Sequence, residues 1–293
     1  MTDQPSSAGA PRLAPGLYLV ATPIGAARDI TLRALDILSA ADVIAAEDTR
    51  TARKLMEIHG IALGGRPLVA YHDHSGPGAR DRLAAMVSEG RSVAYVSEAG
   101  TPLVADPGYQ LSRAMIEAEL PVFAAPGASA VLAALTVSGL PSDRFLFAGF
   151  PPQAAGAMKT WVAELAPVGA TVILYESPRR VHRLLDVLVE SFGPDRPMAL
   201  CRELTKRFEE VLRGSVDEVR SAIADRSLKG EIVLVIGKGA PVQASAETLE
   251  DALRKALQTM TVKDAAAHMA AELGLKKRDV YQAALNLVKD DER

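Results

Sequence analysis

Five short segments place polar, chemistry-bearing side chains beside glycine or proline, or crowd them into a single turn. They are TPIG (Thr22 to Gly25), AEDTR (Ala46 to Arg50), YHDH (Tyr71 to His74), SEAGTP (Ser97 to Pro102) and PGASA (Pro126 to Ala130). Each follows an apolar run that reads as a strand. Ligands of open α/β sheets sit beyond the carboxyl ends of the strands, so all five segments are expected on one rim. A carboxylate at a strand end, such as Glu98, suits a ribose hydroxyl or a cation. Neighbouring glycine and proline let backbone N–H and C=O groups point at a ligand. Neither G-x-G-x-x-G nor G-x-x-x-x-G-K-[ST] occurs, which disfavours a phosphate-rich cofactor.

Within AEDTR, Asp48 or Thr49 would serve as a helix cap, which leaves Glu47 and Arg50 unexplained. In YHDH, His72 or His74 could act as a base or proton relay near neutral pH. No Cys/His cluster has zinc spacing, and Cys201 is alone, so neither a metal site nor an internal disulfide is expected. Further along, ILYESPRR ends an apolar run at Glu176, and KGE closes on Glu231. CRELTKRFEE carries Arg202, Glu203, Lys206 and Arg207. These four could hold phosphates or pair with one another at the surface.

Two sets of elements must position these groups. From Leu17, the strand candidates LYLVAT, DVIAAE, PLVAY, SVAYVS and PVFAA alternate with helical patterns. That alternation predicts βαβ units and a mostly parallel sheet. Asp106-Pro107 reads as an N-cap followed by proline at the first helical position. After Pro126-Gly127 come DRFLFAGF, ATVILYES, RPMALCRE, FEEVLRGS and GEIVLVIG. Two of these strands follow one another directly, which predicts a mixed, partly antiparallel sheet. The fold class is therefore α/β with two α/β domains, over 16–125 and 126–240, behind a flexible tail at 1–15. KGAPVQASAE is a linker to a small helical domain at 241–293. There, Thr248 with Asp251 and Thr261 with Asp264 read as capping boxes, and Leu249, Leu253, Leu257 and Met260 as a stripe. Gly274 stops one helix, and Lys276, Lys277 and Arg278 open the next. That pattern suits a nucleic-acid contact or a solvated turn on a packing appendage.

The 293 residues are 48% apolar and 24% charged, enough for a large core without staples. The net charge of −3 excludes a generally basic nucleic-acid coat but not a local patch. The Pro/Gly-rich N-terminus has no apolar signal region. The apolar stretch Ala124 to Pro141 is too interrupted for a membrane span. An intracellular, cytoplasmic protein is expected.

In order and spacing, LVATPIGAARDIT, AAEDTR, HDH, VSEAGTPLVADPGY, PGASA, GLPSDRF, YESPRR, RELTK and KGE resemble one family. It is the ribosomal small subunit RNA methyltransferase I family, the 16S rRNA (cytidine-2′-O)-methyltransferases of the tetrapyrrole methylase superfamily. The resemblance runs from about Leu17 to Gly237 and continues into the C-terminal helices. It implies two α/β domains with S-adenosylmethionine (SAM) in the cleft between them, usually in a homodimer. It implies 2′-O-methylation of a cytidine in the decoding region of 16S rRNA, in the 30S subunit, with no DNA or membrane partner. Implied SAM-binding positions are Pro23, Ile24 and Gly25; Ser97, Glu98, Ala99, Gly100, Thr101, Leu103 and Val104; Ser129 and Ala130; Tyr175 and Glu176; and Gly214. The family more often has Asp at Glu98 and Asn at Ala26. Under this reading Glu47, Arg50, His72 and Lys206 are expected to orient the ribose hydroxyl or flanking phosphates, and which of them is the base stays open. Rival readings are a tetrapyrrole methylase and a non-catalytic RNA-binding module.

Overall fold

The structure is a computed structural model that describes residues 12–72, 75–238, 246–273 and 276–291. Asp73, His74 and Gly274, the tail to residue 11 and most of the linker lie outside the described residues.

The first unit strings β1 (Gly16–Val20), α1 (Leu32–Ala40), β2 (Val43–Ala46), α2 (Thr49–Ile58) and β3 (Leu68–Ala70). It continues with α3 (Pro77–Ser88), β4 (Ser92–Val96), α4 (Tyr109–Glu117) and β5 (Val122–Ala125). The sheet order is β3-β2-β4-β1-β5, with every pairing parallel. A parallel sheet is covered on both faces, which explains why β2 and β4 are buried throughout and, Ser92 apart, apolar. Alternate residues of β4 serve opposite cores. Ala94 and Val96 join Ala34, Ile37 and Leu38 from α1, whereas Val93 and Tyr95 join Leu83, Leu111 and Met115 from α3 and α4.

The second unit contains α5 (Ala130–Ser138), β6 (Phe145–Gly149), α6 (Ala155–Leu165), β7 (Thr171–Glu176) and α7 (Val181–Phe192). It ends with β8 (Pro197–Arg202), β9 (Glu210–Ser215), α8 (Val216–Ile223) and β10 (Ile232–Ile236). Its order is β6-β7-β10-β8-β9; only β6 and β7 run parallel. The mixed sheet follows from the direct β8–β9 connection. One face packs on α6, α7 and α8. The other packs on α5 and also receives Ile24 and Val104 from loops of the first sheet. Those two side chains help weld the units together.

α9 (Ala246–Leu257), α10 (Val262–Leu273) and α11 (Lys277–Asp291) share a separate core built on Leu253, Ala266, Met269, Val280, Ala284 and Leu287. The Thr261 hydroxyl accepts from the Asp264 N–H at 3.2 Å, so that expected cap forms. Thr248 lies inside α9, which is already helical at Ala246, and not ahead of it. Met260 leaves the expected stripe: it lies past the end of α9 and is 41% exposed. Among the described residues, no helix is long and apolar enough to cross a membrane.

One correction bears on the site. Asp106-Pro107 does not start α4. The helix begins at Tyr109, after Gly108 at φ 117°. A Cβ on Gly108 would lie 2.7 Å from the Tyr95 ring. The β4–α4 loop also turns left-handed at Gly100, Leu103 and Ala105. Left-handed leucine and alanine are uncommon and cluster where function holds a strained loop. Asp106 is thereby turned toward the space between the sheets.

Candidate active site

Four of the five rim segments meet. The TPIG and SEAGTP turns are zipped together: Thr22 N–H donates to Gly100 C=O at 2.9 Å, and Gly100 N–H returns to Thr22 C=O at 3.1 Å. Thr101 Oγ1 donates to Ala128 C=O of PGASA at 2.8 Å. Glu98 N–H donates to the Glu47 carboxylate at 3.0 Å. Asp48 caps α2 through the Arg50 N–H at 2.8 Å and also pairs with the Arg50 guanidinium at 2.7 Å. These bonds from Arg50 hold the Asp48 carboxyl down at about 2. YHDH is the exception to the expected convergence. Tyr71 is buried against the Tyr95 ring, and His72 exchanges hydrogen bonds with Ser75 away from the rim lining. His74 lies outside the described residues.

The rim faces the second sheet across a cleft of about 560 Å³. Pro23, Ile24, Gly25, Glu98, Ala99, Gly100, Thr101 and Val104 form one wall. Ser129, Ala130, Tyr175, Glu176, Lys206, Gly230 and Glu231 line the rest, with Phe150 and Asp106. A second hollow of about 540 Å³ continues over α2 past Arg50 and Lys54, sharing Pro23, Gly25, Thr51 and Glu98. Three expected binding residues stand apart from both linings. Gly214 sits in β9 opposite Met198, Leu103 supports the loop, and Ser97 is buried behind it. Glu47 also stands behind the wall, where it fixes the backbone of Glu98.

Backbone proximity sets the width of this space. A Cβ on Gly25 would lie 2.5 Å from Lys206 Cγ and 2.6 Å from Thr205 Oγ1. Ala26 N–H donates to Thr205 Oγ1 at 3.1 Å, so the residue after the TPIG turn bridges the units through its main chain. RELTK presents Thr205 and Lys206 from a turn with Glu203 and Thr205 at positive φ. A Cβ on Gly230 would collide with the Glu203 carboxylate.

The cleft is acidic. Burial, then repulsion from Glu47, raises the Asp106 carboxyl to about 7 against a hydrogen bond from Ser97; Glu98 and Glu231 push the same way. Burial, with Asp106 nearby, raises the Tyr175 hydroxyl to about 12. Lys206 is clamped by Glu203 at 2.9 Å and Glu231 at 2.7 Å. Burial pulls its amine down, but the two carboxylates outweigh that and its pKa ends above the ordinary value. It therefore stays a cation. Arg202 pairs with Glu210, so salt-bridging rather than an open phosphate site describes this edge, and Arg207 lies over the Phe208 ring. Glu176 is almost fully buried; its Oε1 accepts from Ser177 N–H at 2.7 Å. Its Oε2 lies 3.2 Å from an Arg180 nitrogen without hydrogen-bond geometry, which makes the contact an ion pair only. Among the described residues, no group of three or more His, Cys, Asp and Glu side chains is placed to hold a metal ion.

Sequence reasoning passed over Asp106 and Phe150. Asp-Pro reads as a helix start, and the left-handed backbone that redirects it has no local signal beyond Gly100 and Gly108. An aromatic just after an apolar strand gives no sign that its ring, 55% exposed, stands at a cleft mouth.

Residues 16–220 match the model of the Tetrapyrrole (Corrin/Porphyrin) Methylases, and residues 243–287 match the RsmI C-terminal HTH domain. The ribosomal RNA small subunit methyltransferase I of Mesorhizobium japonicum is 46% identical over 280 residues, spanning 94% of this chain and 93% of that protein. A uroporphyrin-III-C-methyltransferase from Thermus thermophilus is similar in structure, with a TM-score of 0.54 and 26% identity over 76% of this chain and 94% of that one. A Thermus thermophilus enzyme of that activity complexed with S-adenyl homocysteine gives a TM-score of 0.51 at 20% identity, over 76% of this chain and 97% of that one. At that identity the likeness concerns the fold.

Proposed function

Since the chain belongs to the ribosomal RNA small subunit methyltransferase I family within the tetrapyrrole methylases, we propose that it uses SAM to methylate the ribose 2′-hydroxyl of a cytidine in the decoding region of 16S rRNA. The observation that carries this reading is the acidic cleft between the two sheets, built from the segments that bear the family resemblance. Its acceptor is the 30S subunit, its setting the cytoplasm, and its working form a homodimer.

The residues present suit SAM. About 560 Å³ falls in the usual range for a small-molecule site, roughly 300–1,000 Å³. Glu98, Glu176 and Glu231 surround a cation favourably and a pyrophosphate poorly. Ile24, Val104, Ile232 and Val233 supply apolar wall. Gly25 and Gly100 leave the backbone open to close approach. The N-terminus of α5, with Ser129 making no cap bond of its own, offers N–H donors to an amino-acid carboxylate. When bound, SAM supplies an electrophilic methyl group on a sulfonium, which needs no metal.

The protein's own share is alignment. Holding an acceptor oxygen in line is worth up to roughly 7–11 kcal/mol, and a positioned base adds about 10²–10⁴-fold. Lys206 and its two carboxylates fix the wall opposite Gly25. Phe150, against the Tyr175 ring at 5.4 Å, offers an exposed face on which an unstacked base can lie. Arg50 and Lys54 in the adjoining hollow would meet flanking phosphates. His72 lines neither hollow, which leaves it no direct contact in this scheme.

The test pairs calorimetry of SAM binding with labelled-methyl transfer. Micromolar SAM binding and incorporation into 30S subunits, with none into a uroporphyrinogen, is the expected result. Incorporation only into the tetrapyrrole would favour the wider superfamily's chemistry. Absence of SAM binding would favour an RNA-binding module.

A further inference from the structure

We infer that Asp106 accepts the proton of the hydroxyl being methylated. The inference rests on the methyl-transfer reading above and assigns the base that reading leaves open. Asp106 lines the cleft from the β4–α4 loop, directly after the left-handed Ala105 and three residues after the left-handed Leu103. Such backbone persists only where its surroundings over-determine it. Here it turns the carboxyl into the cleft rather than onto the start of α4. Ser97, buried behind the loop, donates its hydroxyl to the Gly100 C=O at 3.3 Å and so braces the turn that precedes Asp106.

Apart from Glu98, which is exposed, the other ionisable groups of the cleft are already engaged. Glu176 takes the Ser177 N–H and the Arg180 ion pair. Glu231 and Glu203 hold Lys206, which is thereby kept cationic. Glu47 holds the Glu98 backbone, and Arg50 holds Asp48. Glu98 is exposed at the junction of the two hollows. Asp106 makes no ion pair among the described residues, and the charged groups acting on it, Glu47, Glu98 and Glu231, are all acidic. Its carboxyl consequently titrates at about 7, where a base is both available and strong enough to work at neutral pH. Tyr175, at about 12, keeps its proton at neutral pH and so is no base there.

In the step, the hydroxyl oxygen forms a bond to the methyl carbon of the sulfonium donor. The carbon–sulfur bond breaks and its electron pair stays on sulfur, leaving a neutral thioether. The hydroxyl proton passes to the Asp106 carboxylate and from there to solvent through the open cleft. Charge is conserved, with no metal or oxidant needed.

Asp106→Asn and Asp106→Glu test this in single-turnover methylation of 30S subunits at saturating SAM. The Asn variant is expected to lose about 10²–10⁴-fold in rate while binding SAM within threefold of the wild type by calorimetry. The wild-type rate should climb with pH to a plateau through about 7, and the Asn profile should be flat there. The Glu variant should recover part of the rate. Independently of activity, carbon-13 NMR of the aspartate carboxyls in the SAM-free protein should show one titrating near neutrality and missing from Asp106→Asn. An Asn variant within threefold of the wild-type rate overturns the inference, as does a loss explained by lost SAM binding. A wild-type protein that binds SAM but leaves 30S unmethylated overturns the functional reading instead, and the acceptor with it.

Discussion

Asp106 carries a cost that asparagine would not. Burial and acidic neighbours favour its neutral form in the fold, so folding is penalised as the carboxyl ionises. The folded pKa lies above the ordinary 3.8, at about 7, so stability falls as pH rises between those values. Above the upper value the penalty is complete, at most roughly 4 kcal/mol and less because part of the carboxyl sees solvent. Asp106→Asn should therefore raise the melting temperature by several degrees at pH 8 and by nothing near pH 4, read by calorimetric scans across pH. A substitution that stabilises while it disables is the mark of a residue kept for function. At this scale the sequence was partly legible. Glu98, Glu176 and Lys206 reach the cleft from their strand-end or turn positions, because strand ends have a fixed address in an α/β sheet. Glu47 and Ser97 carry suitable side chains but stand one layer back, and only three-dimensional packing separates the two situations.

Strands and helices were more legible than the loops that do the positioning. The strands β1 to β10 fall within one or two residues of the segments read as strands; in the parallel first sheet, cover on both faces favours runs of apolar residues. The β4–α4 loop was misread as a helix start, since left-handed Leu103 and Ala105 arise from tertiary constraint. The same holds for the TPIG turn: its glycine is required not by φ but by Lys206 and Thr205 across the seam. Gly25→Ala forces a Cβ into that seam, so the two sheets must part or the RELTK turn must shift. The expected outcome is a loss of about 1–3 kcal/mol in urea unfolding and at least a tenfold weaker SAM affinity by titration. Gly76→Ala, which meets nothing within 4 Å of its Cβ and likewise has no positive φ, is the control for adding a methyl without a clash.

At the scale of the whole molecule, charge has to be reconciled with an RNA acceptor. The chain is net negative at −3 and its cleft is lined by carboxylates. Attraction to rRNA must come from patches outside the cleft. The exposed Lys276, Lys277 and Arg278 at the start of α11 form such a patch on a unit with its own core. Replacing all three with alanine should flatten the dependence of log affinity on log salt by about 2, at roughly 0.7 per phosphate contact for a single strand. Filter binding to 30S subunits over a salt series reads this directly, and SAM affinity should not move. The capping and stripe pattern makes the helical unit visible, but it leaves both a nucleic-acid contact and a packing appendage open. The central claim, a ribose methyltransferase acting on small-subunit rRNA, is tested most directly by mass mapping of 16S rRNA after 30S subunits are incubated with protein and labelled SAM. The account predicts one added methyl, on the ribose of a single cytidine in the decoding region. A methyl on a base, spread over many nucleotides, or absent from the RNA altogether would contradict it.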